Sequence, residues 1–202
     1  MAESLDPKVT ALIIFDMQKG QFNIPDPERQ KWIKESRIVE NAVELLAAAR
    51  KANVLIYYVR NNRRADGLDQ PDVLTDAGMR AGGGRPGGGG GNPQQFEIID
   101  EVKPQEGDFV VDKIKMGGFS GTSLDTLLRA RRMEHVIIAG VRTTVGVETT
   151  VRDGRDLGYN MVVASNATGG VSPEDHQWTL EKIFPQYSRV RTVAQIKEML
   201  GQ

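Results

Sequence analysis

Asp16 stands at the end of an apolar run, residues 9–15, and Lys113 stands two residues past another, residues 109–111. A carboxyl and an ammonium that close buried strands are side chains able to hand over protons and to steady developing negative charge. Burial raises a carboxyl pKa and a neighbouring ammonium lowers it, so the two effects oppose each other at Asp16. Two further apolar runs, residues 54–59 and 136–139, lead into Arg60, Asn61 and Asn62 and into the segment GVRTTVG, residues 140–146. Four run ends therefore carry polar or glycine-bearing groups, and these meet at one rim only if the runs lie parallel in one sheet.

The intervening elements predict that arrangement. Residues 37–52 place apolar side chains at helical spacing, with Ser36 as the expected N-cap, and join the runs 9–15 and 54–59 into a strand–helix–strand unit. Residues 123–132, 145–157, 173–184 and 193–200 read as further helices, residues 161–164 as a buried strand and residues 189–192 as a short edge strand. Such alternation predicts an α/β domain: a doubly wound, about six-stranded, mainly parallel sheet with helices on both faces, a Rossmann-like three-layer arrangement. Ligands then sit beyond the carboxyl ends of the strands. A length of 202 residues with 39% apolar composition suits one domain with a real core.

Several function classes fall away on composition. The chain has no cysteine, which removes disulfides, thiolate metal sites and thiol catalysis. A net charge of −1 gives no broad basic surface for nucleic acid or anionic lipid. No apolar run approaches the roughly 18 residues of a spanning helix, and the N-terminal segment lacks the pattern of a leader, so a soluble cytoplasmic protein is expected. His135 and His176 are the only histidines and neither has a partner at ligand spacing, so structural roles are expected for both and no metal or cofactor is assigned. The glycine-rich stretch at residues 81–91 contains a formal GxGxxG, but Pro86 interrupts it and five glycines follow. It reads as a surface insertion, or as a flap over the site, rather than as a dinucleotide loop. Among hydroxyls near the rim, Ser120 and Thr122 are expected to cap the helix beginning near Ser123, and Thr149 to face the helix interior. The sequon at Asn166 is taken as a chance match.

Three blocks, LIIFDMQKGQF around Asp16, VVDKIKMGGFSGTSLDTLL around Lys113 and VIIAGVRTTVGVETTVRDGRDLGY around Gly146, resemble the motifs of the isochorismatase-like (cysteine hydrolase) superfamily in order and spacing. SNATGGVSPEDHQWTLEKIF resembles its C-terminal block, with Asn166 where an acidic residue is usual. The resemblance implies the family's doubly wound fold and dimeric or tetrameric assembly. It places an aspartate at Asp16, a lysine at Lys113, oxyanion-binding amides at Arg142 and Gly146, and a cis peptide between Val141 and Arg142. Gly146 stands where thiol members carry the catalytic cysteine. Losing the nucleophile of a comparable hydrolytic triad costs on the order of 10⁶ in turnover, so covalent thiol catalysis is excluded.

True isochorismatases are similar in placing glycine at that position, and they cleave a vinyl ether by protonation. The resemblance thus implies a small-molecule hydrolase in which Asp16 is general acid or base, assisted by Lys113, with Gly146 leaving open space for substrate or water. Expected substrate contacts are Gln18, Phe22, Arg60, Asn61, Phe119, Arg142 and Thr143, with Arg60 and Arg142 suited to a carboxylate. Trp32 and Trp178 are candidates to line an apolar pocket. Two departures stand out: Gly117-Gly118-Phe119 replaces the usual Ser-Ala-Phe, and Arg142 replaces a small or aromatic residue. Two alternatives remain open at this point. One is a catalytically silent binding or regulatory protein; the other is an amidohydrolase whose nucleophile has been substituted at Gly146.

Overall fold

Strands β1 (Thr10–Phe15), β2 (Leu55–Asn61), β3 (Phe109–Lys113), β4 (His135–Val141), β5 (Asn160–Gly169) and β6 (Arg189–Arg191) form one sheet in the order β3-β2-β1-β4-β5-β6. Every pairing is parallel. This computed structural model describes residues 4–64, 66–69, 73, 76, 93–170 and 172–202. The glycine-rich stretch at residues 81–91 lies outside them.

The continuous apolar runs are explained by burial on both faces. Alternate residues of β1 separate cleanly, with Leu12 and Ile14 in one core and Ala11, Ile13 and Phe15 in the other. The first core packs under α3 (Ile38–Lys51) and the C-terminal helix α7 (Val193–Met199); the second packs under α4 (Leu124–Ala130) and α5 (Glu148–Asp156). Period-2 side-chain alternation makes one strand serve both layers. Among the described residues, no helix is long and apolar enough to cross a membrane.

Several elements differ from the sequence reading. Strand β2 runs on through Arg60 and Asn61, and β3 through Lys113, because sheet pairing continues past the apolar residues, with Arg60 opposite Asp112 and Asn61 opposite Lys113. Strand β5 extends to Gly169 across polar residues, with a register shift against β4. Ser36 does not cap α3; its Oγ donates back to the Ile33 carbonyl, and Arg37, at φ 54°, makes the break between α2 (Pro27–Ser36) and α3. Two helices have no counterpart in the reading: the short α1 (Lys19–Phe22) and α2 itself. The start of α2 is a local signal, since Asp26 accepts from the amides of Glu28 and Arg29 and Pro27 occupies the first turn. The predicted helix 173–184 is α6 (Pro173–Trp178) followed by wider and tighter turns through Gln186.

The chain leaves β1 for β2 on one side and returns through β4 on the other. The crevice between the carboxyl ends of β1 and β4 is thus the point where a sheet of this topology places its ligand. Asp16 lies at one lip and residues 141–147 at the other.

Candidate active site

Asp16 leaves β1 with φ 49°, a left-handed conformation that few non-glycine residues adopt and that clusters at functional sites. Its amide donates to Val59 O at 2.8 Å, fixing the backbone to the end of β2. The side chain is buried, with Oδ2 2.9 Å from Lys113 Nζ. Its other oxygen, Oδ1, is buried with no hydrogen-bond partner.

Lys113, the last residue of β3, is as deeply buried as Asp16. Its ammonium donates to Asn61 Oδ1 at 3.2 Å and to the Lys115 carbonyl at 3.1 Å as well as meeting Asp16, so its three N–H donors are matched by three acceptors. It also lies 4.8 Å from the centroid of the Phe15 ring. Burial pushes the Asp16 carboxyl above its ordinary value of 3.8, opposed first by the charge of Lys113. Burial likewise lowers Lys113 from 10.5, opposed by Asp16. Both shifts oppose charge separation in the buried pair.

At the opposite lip, β4 ends in a cis peptide between Val141 and Arg142, as the motif implies. The carbonyl of Arg142 accepts from the amides of Val145 and Val147, winding residues Thr143–Val147 into a wide π turn that runs directly into α5. Gly146 is buried in that turn. The expectation of open space above it is not met. A Cβ at position 146 would lie 2.9 Å from Phe15 Cζ, closer still to Cε1, and 3.0 Å from the Met116 carbonyl. The ring of Phe15 fills the place where a nucleophilic side chain would begin. Thr150 braces this packing, accepting from Gly118 N at 2.9 Å and donating to Gly146 O at 2.6 Å. The departure at Gly117-Gly118 has the same origin: a Cβ at Gly117 would lie 2.8 Å from Thr149 Cγ2, and one at Gly118 3.2 Å from Phe15.

The other expected contacts divide. Gln18 is a clamp rather than a free ligand group: its amide bonds both the N–H and the carbonyl of Asn61 and also reaches Phe96 O. Asn61 is buried beside Lys113, whereas Arg60, one residue earlier, points to the other side of the sheet and is bound to Asp112 at 2.6 Å. Arg60 is therefore an outward ion pair. Phe119 is a core residue stacked on Tyr159, and Phe22 packs against the first core at a cavity of about 370 Å³ with Ile33 and Val39. Thr143 is fully buried, its Oγ1 2.8 Å from His176 Nδ1, and the His176 ring meets Trp32 edge-on. Burial holds His176 below its ordinary pKa. Trp178 is 61% exposed. Of the rim hydroxyls, Thr149 bonds back to Val145 O and Ser120 accepts from Lys115 Nζ, so Ser120 is not a helix cap; Thr122 does receive the Leu124 amide. Asn166, at the position usually acidic, pins α7 by accepting from the Val193 amide. His135 starts β4, away from His176, and lies 3.3 Å from Arg189.

Three residues at the site escaped the sequence reading: Phe15 and Thr150 become visible only when β1 and the turn at Gly146 are set together, and Arg63 only when the residue after Asn62 is placed against Asn61.

The chain matches the isochorismatase domain family over residues 10–195. It is 34% identical over 198 residues to an uncharacterised isochorismatase family protein of Bacillus subtilis, YwoC, covering 98% of this chain and 97% of that one. It is 30% identical over 211 residues to the ureidoacrylate amidohydrolase RutB of Caulobacter segnis, covering 98% and 88%. Among solved structures, an isochorismatase family protein of Burkholderia thailandensis superposes with a TM-score of 0.85 at 28% identity, covering 100% of both chains.

Proposed function

We propose, on the premise that the chain belongs to the isochorismatase family of hydrolases, that it cleaves a small organic molecule by proton transfer at Asp16 with no covalent enzyme intermediate. The observation that carries this reading is the state of the Asp16 carboxyl: one oxygen is held by Lys113 and the other is buried without a partner. A nucleophile is not available at position 146, and the Phe15 ring leaves no room for one.

Vinyl ether hydrolysis fits these groups. In this reading Asp16 carries a proton on Oδ1, the oxygen that Lys113 does not hold, and passes it to the terminal vinyl carbon, leaving an oxocarbenium ion while Lys113 steadies the carboxylate that remains. Water adds to the cationic carbon and returns a proton to Asp16, and the hemiketal then collapses to a carbonyl compound and an alcohol. A general acid contributes roughly 10² to 10⁴ in rate. The amides of Arg142 and Gly146 would orient a substrate oxygen in this scheme.

A second reading is favoured by the relationship to an amidohydrolase. Here the Asp16 carboxylate, as a base, takes a proton from water through the same Oδ1 while the water attacks an amide carbon. Both readings predict turnover without an adduct on the protein. The experiment is a panel of enol ethers and amides assayed with wild type and Asp16→Asn, with intact-mass spectrometry during turnover. Enol ether turnover that disappears in Asp16→Asn, with no mass increase, is the expected result. A covalent adduct, or full activity in Asp16→Asn, overturns the proposal.

A further inference from the structure

The turn that carries Gly146 is held mainly by the helix it runs into. Its carbonyls at Thr143, Val145 and Gly146 accept from the Glu148 amide, Thr149 Oγ1 and Thr150 Oγ1, and all three donors lie in α5. The entry to the turn has a tie of another kind. The Thr143 hydroxyl meets His176 Nδ1 at 2.8 Å, 33 residues away in α6. Among the described residues, this is the one side-chain hydrogen bond that joins the turn to an element other than α5. Thr143 is fully buried, so its hydroxyl has no water to turn to, and a buried hydroxyl left without a partner is costly.

His176 is itself wedged in place. The Trp32 ring on α2 meets it edge-on, with 5.7 Å between ring centroids and 61° between the planes. Glycines at the end of β5 make room for this contact. A Cβ on Gly170 would lie 3.3 Å from His176 Cβ, and one on Gly169 would collide with Ile38 Cδ1 and sit 3.4 Å from Trp32 Cη2. The ring is thus fixed from α2 on one side and from the strand end on another. Burial favours its neutral form, in which a ring nitrogen is free to accept the hydroxyl proton of Thr143.

We infer that His176 is a positioning residue for the crevice: through the Thr143 hydroxyl it fixes the entry of the 143–147 turn, and so the direction in which the Arg142 and Gly146 amides meet a substrate oxygen. His176 touches no reacting atom in this scheme. A turn bonded to α5 alone follows that helix; the bond to His176 anchors its other end to α6 and, through Trp32, to α2. The inference rests on the reading that the reaction takes place beside Asp16, because the turn is the opposite lip of that crevice. It also reassigns Thr143, expected as a substrate contact, to a link between the turn and His176.

The test uses variants that change one bond and keep shape. Thr143→Val is isosteric and removes the hydroxyl, whereas Thr143→Ser keeps it. His176→Ala removes the acceptor, whereas His176→Asn places an amide oxygen near the position of Nδ1. Proton–nitrogen correlation spectra without substrate are expected to show the Thr144 and Gly146 amides shifted alike in Thr143→Val and His176→Ala. In Thr143→Ser and His176→Asn they should lie close to wild type, with the sheet amides unmoved in every variant. On an enol ether that wild type turns over, kcat should fall about 10- to 100-fold in Thr143→Val and in His176→Ala, with KM changed less than about twofold. The double variant should be no worse than either single, and His176→Asn should recover most of the loss. If wild type turns over no enol ether, the acid chemistry at Asp16 fails while the spectra still decide the role of His176. If His176→Ala does not fold, the Thr143 pair decides it. Thr143→Val indistinguishable from Thr143→Ser, or His176→Asn as impaired as a folded His176→Ala, overturns the inference.

Discussion

The carboxyl ends of β1 and β4 face the same crevice and have gone opposite ways. At the end of β1 a carboxyl is buried in an unusual backbone conformation with an unmatched oxygen, which is costly to keep and chemically useful. At the end of β4 the wide turn and cis peptide of the family motif persist, yet the turn carries glycine and an aromatic ring packs into its side-chain position. The same residue pair joins the two ends: Phe15 precedes Asp16 and covers Gly146. In the proposed chemistry, proton transfer and nucleophilic attack are separable parts of this scaffold, the first retained at the end of β1 and the second replaced by packing at the end of β4.

The comparison is broken most sharply by changing the chemical end. Asp16→Asn keeps size and shape but cannot donate a proton, and it should lower kcat by about 10²- to 10⁴-fold in a steady-state assay while leaving the fold intact. Lys113→Met removes the ammonium that satisfies Asp16. Breaking a buried pair from one side costs about 3–5 kcal/mol, measurable by urea unfolding, and the Asp16 carboxyl should then titrate at still higher pH.

The packed end is tested by Gly146→Cys. The new Cβ must displace Phe15 or the Met116 carbonyl, so the variant should lose roughly 1–3 kcal/mol as overpacking. Restoring a thiol alone should therefore not restore a thiol enzyme. Phe15→Val combined with Gly146→Cys should be more stable than the sum of the single changes by about 1–3 kcal/mol, and strict additivity in the double-mutant cycle would break the proposed pairing. An effect of similar size is expected at the brace between the two loops. Thr150→Val leaves the Gly118 amide and the Gly146 carbonyl without their shared hydroxyl and should cost about 1–3 kcal/mol with the sheet intact.

Much of the scaffold was legible because burial on both faces writes itself as unbroken apolar runs, and because Asp16, Lys113 and Gly146 sit in motifs whose spacing follows the strand ends. What sequence could not show depends on register and on which face a residue takes. Phe15 reads as one more apolar strand residue until it is paired with Gly140, when its ring is found over Gly146. Arg60 and Arg63 are equally basic on paper, yet the alternation of β2 sends the first to Asp112 and the chain beyond the strand brings the second to Asn61. Phe119 sits beside the lysine motif in sequence but stacks on Tyr159 in the core. Asp26-Pro27 was a readable start signal for α2, and with it Arg29 and Trp32 would have been placed on a helix.

The central claim is that Asp16 works as a proton-bearing carboxyl. Its pKa is raised by burial, so the protonated form persists above the ordinary 3.8 and is lost as pH rises through the higher folded value. The most direct measurement is the pH dependence of kcat/KM for enol ether cleavage by wild type and Asp16→Asn. The account predicts a rate that is level at low pH and falls once through a pKa above 3.8, with that limb absent from the residual activity of Asp16→Asn. A rate that climbs with pH through the same region would make Asp16 a base and contradict the claim.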